Sequence, residues 1–148
     1  RHLSLSGRQI ELLVLASYLL NSGRLEDSTP SDDAPSDGVE ARASLHQRSA
    51  SFASQLLALR EIGQILHYVD ERWDGSGSPD GLRGREIPFE SRILSLMEMF
   101  VEELYFSQDA HLALEAVKAE EGRFDPHLVA ALEEMVRAQR HFAGSVQA

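Results

Sequence analysis

Apolar residues recur at helical spacing along most of the chain, and no segment alternates between apolar and polar positions as a strand does. The first such segment covers residues 7–24 and ends close to Gly23, a residue type that commonly stops a helix. Its apolar stripe consists of Ile10, Leu13, Val14 and Leu20. This pattern predicts an amphipathic helix at the start of the chain.

Four further stretches carry the same period. A helical pattern runs from about residue 39 to residue 72, where Gly63 predicts a bend or a break, and a glycine-rich loop follows at residues 73–88. After Pro88, which suits a first helical turn, the apolar positions are Ile93, Leu96, Met97, Phe100 and Leu104. Amphipathic segments then occupy residues 109–121 and 124–138, the second with Asp125 as N-cap and Pro126 in the first turn. The pattern predicts an all-α protein, one compact bundle of five to seven helices over residues 1–148.

Composition narrows the class of protein. The 148 residues are 43% hydrophobic, they include no cysteine, and no apolar run reaches the length of a membrane span. The net charge of −10 disfavours nucleic-acid binding, and five of the acidic residues fall in residues 26–38, a Pro- and Ser-rich segment that we expect to be a mobile loop. The chain begins without Met or a signal sequence, which predicts a domain excised from a larger protein, and the lack of cysteine fits a reducing, cytoplasmic environment.

Four motifs resemble those of one known family, in the same order along the chain. Residues 71–88, "ERWDGSGSPDGLRGREIP", resemble "HHERWDGSGYPxGLxGxxIP", and residues 91–100, "SRILSLMEMF", resemble "ARIxxVADxF". The segments at residues 5–25 and 122–134 resemble "LS…LxxAALLHDIGKI" and "GxxFDPxLVxAF". The family is the HD-GYP domain, a subgroup of the HD superfamily of metal-dependent phosphohydrolases whose members typically hydrolyse cyclic di-GMP. The resemblance implies an HD-like helical fold.

The same comparison reveals departures where the family binds its metals. Its metal ligands, together with the lysine after its HD pair, correspond to Leu20, Asn21, Arg24, Ser49, Val69, Asp70 and Glu98. Only Asn21, Asp70 and Glu98 could offer an oxygen, and no imidazole remains at these positions. A metal that activates water needs a dense set of ligands, and leucine and valine supply none. The departures predict a pseudoenzyme with no metal and no cofactor.

Histidines elsewhere could build a relocated metal site. His67, Asp70 and Glu71 have i, i+3, i+4 spacing and could share one helix face. His46 stands near Ser49, but its offset from that position predicts that it is not a metal ligand.

The glycine-rich loop is predicted to keep its shape and to serve as a surface for a partner or a nucleotide. Its glycines and prolines favour tight turns, Trp73 is expected to pack the loop against the body, and Ser78 replaces the tyrosine of the family's GYP motif. The residues predicted to bind a partner or nucleotide are Arg72, Trp73, Asp74, Ser78, Pro79, Arg83, Arg85 and Arg92.

The favoured hypothesis is a catalytically inactive HD-GYP-like domain that binds a protein in bacterial signalling. By resemblance, the partner would be a GGDEF domain, a receiver domain or a second copy of the chain. One alternative is a sensor that binds cyclic di-GMP or a related nucleotide without hydrolysing it, using Arg24, Arg92 and the loop arginines. Another is a residual metal-dependent phosphodiesterase.

Overall fold

The computed structural model describes residues 4–20, 46–50 and 59–145, with side chains up to residue 138. All regular elements in these ranges are helices, and the ranges contain no strand, so the all-α prediction is confirmed. The elements are α1 (Gly7–Leu19), α2 (Arg60–His67), a 3₁₀ turn (Gly84–Glu86), α3 (Phe89–Ser107), α4 (Ala110–Ala119) and α5 (Pro126–Ser145). Residues 46–50 are also helical.

Side-chain caps fix where the helices begin. The hydroxyl of Ser6 accepts a hydrogen bond from the Gln9 amide, and the Gln9 side chain accepts one from the Ser6 amide, which satisfies two free donors at the start of α1. Asp125 accepts a hydrogen bond from the amide of His127 at 2.9 Å, and Pro126 is the first residue of α5. The predicted start of α5 is therefore confirmed.

Helix α3 contributes residues to both hydrophobic clusters of the fold. Helix α1 packs against α2 and α3, whereas α4 and α5 pack against each other and against the other part of α3. The first cluster consists of Ala16, Leu20, Ala50, Ile62, Ile65, Leu66, Val69 and Leu94. The second consists of Leu96, Phe100, Ala113, Leu114, Val117, Phe124, Leu128, Leu132 and Val136. All five apolar positions predicted for α3 lie in or against the second cluster.

The predicted apolar stripe of α1 is only partly confirmed. Leu13 and Leu20 lie against and within the first cluster, whereas Ile10 and Val14 are about half exposed and Ala16 is fully buried. Apolar residues surround much of α1, and spacing alone does not select the buried side of such a helix.

The break predicted at Gly63 does not occur, because α2 is continuous through this residue, which is buried within the helix.

Several predicted features lie outside the described residues, namely Asn21, Gly23, Arg24 and the acidic segment 26–38. Within the described ranges, no helix is both long enough and apolar enough to cross a membrane.

Candidate functional site

Five positions that correspond to metal ligands in the HD-GYP family surround one region of the fold, here called the HD site: Leu20, Ser49, Val69, Asp70 and Glu98. The first follows α1, the second lies in the helical residues 46–50, the next two lie in the turn after α2, and the last lies on α3. Four separate segments of the chain therefore build this site.

Three of these positions form a closed, mostly apolar wall. Leu20 and Val69 belong to the first hydrophobic cluster and are 5% and 1% exposed. Ser49 is fully buried, and its hydroxyl donates a hydrogen bond to the Leu20 carbonyl oxygen at 2.9 Å. The space where the family holds metals is thus part of the core of this protein.

His46 fills the gap between the two carboxylates of the HD site. Its side chain is fully buried; Nδ1 lies 3.0 Å from both carboxylate oxygens of Asp70, and Nε2 lies 3.2 Å from Oε1 of Glu98. The second approach is an ion-pair contact without hydrogen-bond alignment. The ring lies in the site although its position is offset from Ser49, because residues three apart on a helix share a face. The signal was in the sequence: His46 precedes Ser49 by one helical turn.

The two carboxylates also control the charge of the imidazole. Burial disfavours the charged ring and lowers its pKa, but the hydrogen bond to Asp70 and the negative charges of Asp70 and Glu98 outweigh burial and raise the pKa of His46 from its ordinary 6.5 to about 9. At neutral pH the ring is therefore an imidazolium held between two carboxylates.

This charge makes the stability of the fold pH-dependent. Between pH 6.5 and about 9 the folded state holds a proton on His46 that the unfolded state releases, so stability falls as pH rises. The contribution is fully present below pH 6.5 and lost above pH 9, and we expect the free energy of unfolding to drop by roughly 3 kcal/mol across this window. Urea unfolding at pH 6 and pH 9.5 measures the drop. The His46→Gln variant is the control, since its stability should vary much less over the same range.

The donors of the described site do not fit a divalent ion. A metal-binding imidazole needs a nitrogen lone pair, and both nitrogens of His46 already face carboxylate oxygens. No cluster of three or more histidine, cysteine, aspartate or glutamate side chains suited to a metal occurs within the ranges the structure describes. The predicted triple of His67, Asp70 and Glu71 does not form, because α2 ends at His67 and the Glu71 carboxylate accepts a hydrogen bond from the Asp80 amide at 2.7 Å.

The glycine-rich loop is bonded to the turn before α5 through its backbone. The amide of Trp73 donates to the carbonyl of Arg123, and the amide of Asp74 donates to the carbonyl of Gly122, both at 2.9 Å. The amide of Gly84 closes the loop on the carbonyl of Trp73 at 2.9 Å. The motif that carries the glycine-rich loop and the motif at residues 122–134 therefore form one structural unit.

Asp74 braces the first turn of this loop. Its carboxylate accepts hydrogen bonds from the hydroxyl and the amide of Ser76, at 2.6 and 2.9 Å, and these bonds hold the pKa of Asp74 below its ordinary value. The structure gives Asp74 an intraloop role, rather than leaving its carboxylate free for a partner.

Arg92 lies under the loop and not on its surface. Its guanidinium forms an ion pair with Asp125 at 2.7 Å, where the two side chains are 13% and 5% exposed, and it lies over the rings of Phe89 and Trp73 at 5.1 and 5.7 Å. The prediction that Arg92 binds a partner or a phosphate is revised for this reason. Trp73 packs the loop against the body through the same contact.

Most of the other loop residues that were predicted to bind a partner or nucleotide are exposed. These are Ser78, Pro79, Arg83 and Arg85, whereas Arg72 is partly buried and pairs with Glu120 at 3.6 Å. These four exposed side chains form what we call the loop tip.

Comparisons with known proteins give the same family along most of the chain. A family model described as HD domain matches residues 1–128. The 3′3′-cGAMP-specific phosphodiesterase 3 of Vibrio cholerae is 34% identical over 98 residues, which cover 66% of this chain and 21% of that protein. A cyclic di-GMP phosphodiesterase of Vibrio cholerae is 32% identical over 139 residues, covering 85% and 27%. The cyclic di-GMP phosphodiesterase response regulator RpfG of Xanthomonas campestris is 30% identical over 146 residues, covering 88% and 38%.

A solved structure has the same fold. The crystal structure of the cyclic GMP-AMP-specific phosphodiesterase V-cGAP3 of Vibrio cholerae aligns with a TM-score of 0.70 and 23% identity, over 95% of this chain and 41% of that one. The chain spans between 21% and 38% of the length of the three sequence relatives. Because the HD domain model matches residues 1–128, the chain belongs to the HD domain family, as an HD-GYP-like member of it.

Proposed function

We propose that this domain is a catalytically inactive HD-GYP-like domain that acts as a regulatory or protein-interaction module in bacterial signalling. The observation that carries the proposal is the HD site itself. Its described positions provide buried apolar walls at Leu20 and Val69, and its two carboxylates are already bound by His46.

Hydrolysis of a phosphodiester by a metal centre requires an ion that activates water and neutralises the phosphate. Leu20 and Val69 have no lone pair to offer, and the Ser49 hydroxyl donates a hydrogen bond to the Leu20 carbonyl. An imidazolium paired with two carboxylates has no proton-accepting nitrogen, so His46 is a poor general base at neutral pH. These features of the described residues support a site without a metal centre.

The surfaces of the domain support an interaction role. The loop tip presents two arginines beside Ser78 and Pro79 on a loop whose base is fixed by backbone hydrogen bonds. At the end of α3, Tyr105 and Phe106 are each 73% exposed, with their ring centroids 5.5 Å apart. Adjacent exposed aromatic side chains are typical of protein contacts. A GGDEF domain, a receiver domain or a second copy of the chain is the kind of partner we propose.

A non-hydrolysing nucleotide sensor is the second candidate. It is favoured by the three sequence relatives, all of which are named as phosphodiesterases of cyclic dinucleotides. The ion pair between Arg92 and Asp125 counts against the sensor, because this arginine is one of the residues predicted to bind phosphate.

One experiment separates these functions. The purified chain is incubated with cyclic di-GMP or 3′3′-cGAMP in the presence of Mn²⁺ or Fe²⁺, with the Vibrio cholerae cyclic di-GMP phosphodiesterase as positive control. We expect no turnover above the rate without protein, and metal-dependent turnover would overturn the proposal. Calorimetry with the same nucleotides tests the sensor hypothesis. Saturable binding without turnover would favour a nucleotide sensor over a protein-interaction module.

The proposed protein interaction is tested with the same purified chain. Titration with purified GGDEF and receiver domains, and sedimentation of the chain alone, should show at least one association. That association should weaken at least about tenfold in Arg83→Glu/Arg85→Glu, because reversal of two charges at the loop tip opposes a complementary surface. Arg137→Glu, at an exposed position on α5, is the matched control. If neither domain binds and the chain remains a monomer, the proposed partners are wrong.

A further inference from the structure

His46 reaches the HD site from a position one helical turn before Ser49, the residue that the motif comparison assigns to the site. Both lie on the helical residues 46–50, so the two side chains share a face. The Ser49 hydroxyl donates a hydrogen bond to the Leu20 carbonyl. The longer side chain of His46 extends into the space beside it and is fully buried there.

Both sides of the imidazole ring are in use. Nδ1 faces the Asp70 carboxylate at 3.0 Å, and Nε2 faces the Glu98 carboxylate at 3.2 Å. The ring therefore lies between the two groups that would have to converge on one ion. A metal ion could bind both carboxylates only if the ring left the space between them.

The described apolar positions of the HD site give an ion no compensation for such a displacement. Val69 and Leu20 are almost completely buried, and both belong to the first hydrophobic cluster. A partly hydrated ion needs polar partners for its water ligands, and apolar walls provide none.

We infer that His46 takes the place of the metal ion in this domain, as an internal plug that joins Asp70 to Glu98 and closes the HD site. This inference deepens the proposed function, because it names the group that closes the same site. The plug crosslinks the turn after α2 to α3 through residues 46–50, a connection that a shared metal would otherwise provide. The competing arrangement, in which His46 is itself a metal ligand alongside the two carboxylates, predicts the opposite response to its removal.

The test compares Mn²⁺ binding with and without the plug. Val69→His restores one imidazole at a ligand position, and Val69→His/His46→Ala restores it and also frees the carboxylates. If His46 is a plug, calorimetry of chelator-treated protein should show Mn²⁺ binding at least about tenfold tighter in the double variant than in the single one. If His46 is a ligand, its removal should weaken binding, and that result overturns the inference. The control is Val69→His/His127→Ala, which removes an exposed imidazole on α5 and should bind Mn²⁺ like Val69→His.

The unmodified chain provides a readout that does not depend on the folding of variants. Paramagnetic Mn²⁺ broadens the amide signals of residues near its binding site, so the amides of Val69 and Glu98 should keep their intensity when millimolar Mn²⁺ is added. Selective loss of these signals would overturn the plug. The outcome is independent of the hydrolysis assay, because a chain that binds Mn²⁺ at this site without hydrolysing a nucleotide refutes the plug and leaves the proposed function in place.

Discussion

Replacement of Gly77 by alanine is expected to destabilise the fold by about 3 kcal/mol, which lowers Tm by roughly 10 °C in a chain of this size. A Cβ atom at this position would lie 2.2 Å from the amide nitrogen of Arg72 and 2.5 Å from the Cα of Glu71. These neighbours are backbone atoms, so no change of rotamer relieves the clash. Residues 71–74 are themselves held in place, since Trp73 and Asp74 bond to the turn before α5.

Thermal unfolding followed by circular dichroism measures this effect. Gly7→Ala is the matched control, because a Cβ at Gly7 has no neighbour within 4 Å and this residue begins a helix. The change there should stay within about 0.5 kcal/mol. Equal Tm values for the two variants would show that the loop does not pack against residues 71 and 72 as described.

The second large effect is expected at the buried ion pair. Arg92→Met removes the guanidinium but keeps an unbranched apolar chain under Trp73 and Phe89, and it leaves the Asp125 carboxylate buried without its partner. An uncompensated buried charge costs about 3–5 kcal/mol.

A double-mutant cycle isolates this interaction. Asp125→Asn keeps an oxygen that can cap α5 and removes the charge, so Arg92→Met/Asp125→Asn should be at least about 1 kcal/mol more stable than the sum of the single losses predicts. Arg137→Met breaks an exposed pair with Glu133 and should cost less than about 1 kcal/mol. Additive losses at Arg92 and Asp125 would mean that the guanidinium contributes by packing alone.

The helices that the sequence predicts best are those with a long, one-sided apolar period. The stripe of α3 and the Asp125 cap of α5 both follow from local spacing, and local spacing is visible in a sequence. Helix α1 was harder, because its apolar residues surround most of the helix and only packing against α2 and α3 decides that Ala16 faces inward.

The candidate site was predictable as a set of altered positions, but not as a set of contacts. Comparison with the family motif, position by position, assigns Ser49 to the site and gives no reason to consider His46, although the helix brings both to the same place. Arg92 illustrates the same difficulty. A charged residue is exposed by default, and its burial depends on Asp125, which lies 33 residues further along the chain.

The anchors of the glycine-rich loop give this domain an evolutionary freedom. Trp73 and Asp74 hold the loop through hydrogen bonds to the backbone at Arg123 and Gly122, and the amide of Ser78 donates to the backbone carbonyl of Asp70. These bonds join backbone groups, so they do not depend on any side chain in the HD site. Substitutions that remove metal-ligand side chains can therefore accumulate under natural selection while the glycine-rich loop keeps its shape and its exposure. An enzyme built in this way can be recruited as a recognition surface first and lose its chemistry afterwards, with a folded protein at every step.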